Sequence, residues 1–263
     1  MPGFVRLRPR RRLDRMSAPR SPRVRPTRWA WGLLASRTLA FVAAQSLIVA
    51  LLAASGATEP WWSSAAWWPV AATLANVFGL ALLAWRLRVE RVAWRDLMAP
   101  AATSWRRDGL TALALLPLLA VAAVLPPILI AQGLWSDPTV GQTLLLAPLP
   151  GWAAWTALLL FPVTTAAVEL PTYGGYVLPR LRASGLPVVA AVAVVGLVLG
   201  FQHGALPFVP ATQFFAWRAT AFVPFALALV GLLAWRPRLL PWFVGVHFLL
   251  DAAAGVQVWL ASS

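Results

Sequence analysis

The chain has 263 residues, of which 60% are hydrophobic and 11% charged, and it contains no cysteine. Charged residues make up roughly a quarter of a soluble domain, so this composition describes an integral membrane protein; the lack of cysteine excludes thiol catalysis, disulfides and Cys-ligated metal. The formal charge of +14 comes from 22 basic residues, all arginine, and their placement between apolar runs makes them a topology signal rather than a nucleic-acid footprint.

Residues 1–28 hold ten Arg, one Asp and five Pro with almost no apolar periodicity. They are expected to form a disordered cytoplasmic tail able to touch anionic lipid, with residues 29–263 as a single membrane domain. Span one is placed at Thr38 to Gly56. Its small-residue ending, Ala53-Ala54-Ser55-Gly56-Ala57, has the look of a signal-peptide cleavage site, but the long basic stretch before it and the spans after it argue for a retained helix. Trp61, Trp62, Trp67 and Trp68 then fall where an interfacial aromatic belt belongs.

Span two is expected over Ala65 to Trp85. Arg86, Arg88, Arg91, Arg95, Arg106 and Arg107 mark the inner loop that follows, with Trp94 and Leu97 lying along the membrane surface. Span three covers Gly109 to Gln132, kinked at Pro126-Pro127. An arginine-free outer loop leads to span four, Trp152 to Leu181, followed on the inner side by Arg180 and Arg182. Span five is Pro187 to Leu206, and span six is Phe214 to Trp235, with Arg218 near its start expected to snorkel to the outer interface. After Arg236 and Arg238, span seven runs from Leu239 to Leu260. All arginines except Arg37 and Arg218 fall on one side, so the fold is an all-α polytopic bundle of about seven transmembrane helices with a cytoplasmic N-terminus.

Inside this apolar background, spans four, five and seven carry Glu169, His203, His247 and Asp251. Ionisable groups at membrane depth face a partner or a wet cavity, because burying them in hydrocarbon costs several kcal/mol. At 1.5 Å per residue, Glu169 lies roughly 16 Å above Arg180, His203 roughly 24 Å above Pro187, and His247 and Asp251 roughly 14 and 20 Å above Arg238. The four can therefore meet between mid-membrane and the inner leaflet, which favours substrate access from the cytoplasmic face. His247 and Asp251 share one helix face. A glutamate beside a histidine suits deprotonation of a water, while a second histidine and a short polar side chain suit an oxyanion. Equally, Glu169, His203 and His247 have the composition of a hydrolytic zinc site with an open position.

The stretch Glu169-Leu170-Pro171-Thr172-Tyr173-Gly174-Gly175-Tyr176, followed by Leu199-Gly200-Phe201-Gln202-His203 and His247-Phe248-Leu249-Leu250-Asp251, resembles the intramembrane CAAX-type prenyl endopeptidases and bacteriocin-processing proteins of the CPBP or Abi family. The resemblance covers residues 155–257. That family's pattern is Glu-Glu-x-x-x-Arg followed by Gly, then Phe-x-x-x-His, then His-x-x-x-Asn or Asp. Here Leu170 replaces the second glutamate, Gly174 the arginine and Leu199 the phenylalanine; the joint loss of glutamate and arginine is consistent with deletion of one internal ion pair. A register shifted by one would put Val168 at the catalytic place. The resemblance implies that Glu169, assisted by His203, activates water and that His247 with Asp251 forms the oxyanion site, acting on a peptide or protein substrate in the membrane. It leaves open whether a zinc ion is bound or none, and whether the substrate is prenylated. The expectation is thus an inner-membrane endopeptidase, the alternative a catalytically inactive CPBP-like scaffold or immunity protein. A small transporter is disfavoured because no inverted repeat is visible.

Overall fold

The computed structural model describes residues 28–98 and 105–263, so the expected Arg-rich tail lies outside the described residues except for Arg28. Among the described residues every regular element is helical. Seven helices are long and apolar enough to cross a membrane: α1 (Trp29–Ala54), α2 (Trp68–Glu90), α3 (Trp105–Trp135), α4 (Gly151–Ala183), α5 (Val188–Ala205), α6 (Thr212–Trp235) and α7 (Pro237–Ser262). The chain is an all-α polytopic membrane protein.

The spans agree with expectation in number and order and differ at their ends. The largest difference is in α1, which begins at Trp29 rather than Thr38. Residues 29–36 continue the apolar helix, and Arg37 is carried inside the span, where it is buried. Arg218 is likewise buried, with its Nη2 donating to the Leu206 carbonyl at 3.0 Å, so it does not snorkel to the interface.

The centre of the bundle is α4. Its middle packs between α2 and α7, and its inner end meets α1, α5 and α6. In contrast, only 11% of the apolar window of α3 is buried, and this helix touches the others through α6 and α7. It continues as one element through Pro117, Pro126 and Pro127, with the Trp217 indole donating to the Pro127 carbonyl at 3.0 Å.

Two stretches of α4 widen to π-helix, Thr156–Leu160 and Pro171–Val177. Each has a proline at or near it, and a proline removes one donor from the helical ladder. The carbonyl four residues before Pro171 is that of Ala167, and it accepts instead from the Trp94 indole at 3.2 Å. Trp94 and the short helix Trp94–Met98 are thereby held against α4. The widened backbone is accommodated by glycine: a Cβ on Gly255 of α7 would stand 2.3 Å from the Ala157 carbonyl oxygen, and one on Gly174 would stand 2.6 Å from a Leu233 methyl.

Close approach also defines the α5–α6 pair. Gly196, Gly200 and Gly204 recur every four residues, and added Cβ atoms there would come within 3.0, 2.7 and 3.2 Å of the Cα atoms of Leu227, Val223 and Ala219. Such small-residue stripes let membrane helices gain backbone-level dispersion contacts that bulky side chains prevent.

Polar ties secure both ends. At the inner end, Glu90 of α2 accepts from Tyr176 and Arg180 of α4 and, at 2.9 Å, from Arg86. Arg236, between α6 and α7, reaches Asp108 of α3 at 2.7 Å. At the opposite end, the Gln45 carboxamide bonds both the N–H and the carbonyl of Phe208, each at 2.7 Å. Trp67 and Trp68 are not simply belt residues, since both pack inward, and Trp68 donates to the Leu145 carbonyl at 3.1 Å.

Candidate active site

A cavity of about 440 Å³ opens beside the middle of α4, and Glu169, His203, His247 and Asp251 all line it. The four residues singled out from the sequence therefore surround one space. Val168 is fully buried against Gly79 of α2, while Glu169 lines the cavity.

Glu169 is held on both oxygens. Oε2 accepts from Arg37 Nη2 at 2.5 Å and from Gln202 Nε2 at 3.2 Å, and Oε1 lies 3.0 Å from His247 Nε2. Arg37 is itself positioned by Asn76, whose Oδ1 accepts from Nη1 at 2.5 Å and whose amide donates to Thr165 at 2.8 Å. Gln202 is oriented by the Tyr173 hydroxyl, which donates to its Oε1 at 2.8 Å. Five helices thus converge on one carboxylate: α1 through Arg37, α2 through Asn76, α4, α5 through Gln202, and α7 through His247. A buried charge needs such partners, because an unpaired one is strongly destabilising.

His203 sits in the 3-10 turn ending α5, with Nδ1 3.0 Å from the Gly200 carbonyl. A carbonyl oxygen can only accept, so Nδ1 carries the proton and the neutral ring keeps an acceptor lone pair on Nε2. The ring packs on Phe222 with centroids 4.6 Å apart. His203 makes no hydrogen bond to Glu169; the two are joined only through the cavity they share.

His247 Nε2 faces the Glu169 carboxylate, an acceptor, and so is the protonated nitrogen of that contact. Asp251 Oδ2 stands 3.5 Å from the same nitrogen. That is within ion-pair range but is not a hydrogen bond, and both Asp251 Oδ2 and His247 Nδ1 are buried without a protein partner.

Among the described residues no group of three His, Asp or Glu side chains is disposed to hold an ion. Glu169 Oε2 already faces the Arg37 guanidinium. A divalent cation at Glu169 would stand beside Arg37, and like charges at that range repel.

The positions that depart from the family pattern are apolar in their packing. Leu170 is buried, and Gly174 abuts Leu233, so neither site strands a charge. Sequence reasoning missed Arg37, Asn76 and Gln202. Asn76 carried a usable signal, as a strongly polar residue within an apolar run. The cavity wall includes Trp68, Gln142, Leu145, Leu146 and Gln257, all at the end opposite the arginine-bearing turns, and no residue of those turns lines it.

Comparison with protein families, with curated proteins and with solved structures finds no match for this chain.

Proposed function

We propose that this protein is an intramembrane endopeptidase of the cell (inner) membrane that hydrolyses peptide bonds with an activated water and no metal. The observation that carries the reading is the convergence of Glu169, His203, His247 and Asp251 on one cavity. Glu169 Oε1 has room for a second donor beside His247, and His203 Nε2 offers a lone pair. A water between them is oriented by Glu169 and gives its proton to His203 Nε2 as its oxygen adds to the amide carbonyl carbon. The oxyanion that forms takes a share of the His247 Nε2–H, which the resting site gives to Glu169 Oε1, with Asp251 beside the same nitrogen. His203 then returns the proton to the amide nitrogen as the C–N bond breaks, leaving a carboxylic acid and an amine.

The test is cleavage of a fluorogenic membrane peptide library by the purified chain. Glu169→Gln and His203→Ala should each lower turnover by about 100-fold or more, in the range that loss of a positioned acid–base group costs. Unchanged turnover in a folded Glu169→Gln variant would end the proposal. A second reading, a non-catalytic scaffold or immunity protein, is favoured by the partner already present on each Glu169 oxygen, as in a purely structural ion pair. Retention of the cellular phenotype by the Glu169/His203 double variant would select it.

A further inference from the structure

The buried arginines of the bundle differ in how their charge is met. Arg37 is paired with Glu169, and Arg86 and Arg180 with Glu90. Arg218 is only 7% exposed, yet among the described residues no carboxylate pairs with it. Its Nη2 donates to the Leu206 carbonyl at 3.0 Å, its Nε has no partner, and the faces of Trp217 and Phe222 stand 5.7 and 5.3 Å from its guanidinium carbon. Aromatic faces attract a cation but supply none of the in-plane acceptors that suit its planar fork.

Arg218 lines the cavity, and beyond it α6 gives the same space an apolar face made of Phe222, Phe225 and Leu229. Intervals of four, seven and eleven residues keep these side chains in line with Arg218 on one side of the helix. At 1.5 Å per residue, Arg218 lies roughly 9 Å from the start of α6 at Thr212 and Leu229 roughly 25 Å. A cation near one membrane surface is thus followed by roughly 16 Å of apolar wall running down into the hydrocarbon. Val124 of α3 and Leu250 of α7 also line the cavity, roughly 16 and 18 Å from the same end of the bundle. They are 57% and 47% exposed, so the wall runs out to the lipid-facing surface at the depth of the apolar face.

We propose that this part of the cavity binds a free fatty acid taken from the membrane, with its carboxylate on Arg218 and its chain along Phe222, Phe225 and Leu229. Head group first and tail below is the order of a lipid in a leaflet, and the wall repeats it. The exposed Val124 and Leu250 mark a way in from the side that involves no passage through water. A carboxylate is the planar, two-oxygen partner of a guanidinium, and a single helix face offers wall to a single chain. Hydrocarbon around the bundle solvates the tail as well as the cavity does, so recognition rests on the head group and on Arg218. This binding is independent of the hydrolytic reading; where that reading holds, lipid and peptide compete for the space that His203 also lines.

The test uses the full chain in a maltoside detergent at neutral pH and four probes: dodecanoate, its methyl ester, acetate and lauroyl lysophosphatidate. Binding is read as the shift in thermal unfolding midpoint over a concentration series. Dodecanoate should bind about ten-fold or more tightly than its methyl ester, the difference that one charge-assisted hydrogen bond contributes. Arg218→Gln should erase that preference, and Arg218→Lys should keep part of it. Equal binding of acid and ester by the wild type, which involves no variant and no question of folding, would overturn the proposal. So would an acid preference that survives in folded Arg218→Gln. Acetate binding as tightly as dodecanoate would make this a small-anion site without a role for the apolar face, and tighter binding of lysophosphatidate would assign it to a phospholipid head group; either result overturns the fatty acid. No arm reads turnover, so a chain that binds dodecanoate and cleaves no peptide keeps the lipid site and loses the endopeptidase reading. Cleavage without an acid preference does the reverse.

Discussion

The pairing of Arg37 with Glu169 is the residue-scale feature on which the site depends. Removing one member of a buried ion pair costs about 3–5 kcal/mol because the other charge is left without compensation, whereas replacing both by apolar groups is often close to neutral. Arg37→Met should therefore lower stability by about that amount, and Arg37→Met combined with Glu169→Leu should recover most of it. Denaturant unfolding of the four proteins in detergent, arranged as a double-mutant cycle, checks the expectation; additive losses would mean that the 2.5 Å contact carries no coupling. Only half of this pair was legible in the sequence. Glu169 stands out as a carboxylate in an apolar run. Arg37 does not, because a span begun at Thr38 leaves it outside the membrane, and only knowledge of its partner justifies extending the helix past it. Gln202 was hidden for a different reason, since a neutral amide next to a histidine gives no charge signal.

At the scale of elements, the backbone around the site is shaped by where helices touch through glycine. Gly200 meets the Val223 backbone at the α5–α6 crossing, two residues before Gln202 and three before His203. Gly255 meets the π-helical turn of α4 four residues after Asp251. Overpacking a close-fitted interface costs about 1–3 kcal/mol, and here the obstructing atoms are main chain and cannot rotate away. Gly200→Leu and Gly255→Val should each destabilise by at least that much, and Gly245→Ala, where nothing lies within 4 Å of an added Cβ, should be neutral. Thermal inactivation of the three variants tests the contrast; equal midpoints would show that the crossings relax freely. The four-residue glycine repeat of α5 could have been read from spacing alone. The π-helical turns could not, because a proline in a membrane span is compatible with a kink, a widened turn or an undisturbed helix, and the choice is made by which neighbour supplies a donor, as Trp94 does for Ala167.

For the whole molecule, the arginines serve two purposes that the sequence shows as one. Their distribution orients the seven spans by the positive-inside rule, and that reading used nothing but position. The structure adds that Arg86, Arg180 and Arg236 also bind Glu90 and Asp108, so the charges that set topology lock the inner ends of α2, α3, α4 and α7 together. The opposite end is held by neutral contacts, chiefly Gln45 with the Phe208 backbone and Trp68 with Leu145, and the cavity wall extends to that end through Trp68, Gln142 and Leu145. The depths placed the polar groups near one another but carried no information about which end of the bundle is tied. Because the chain lacks cysteine, its orientation can be measured with single introduced thiols. Ser55→Cys and Ser263→Cys should react with a membrane-impermeant maleimide on intact spheroplasts, and Ser184→Cys only after permeabilisation, all three positions being exposed. The reverse labelling pattern would turn the cavity mouth to the cytoplasm, and peptide substrates would then have to be sought on that side of the membrane.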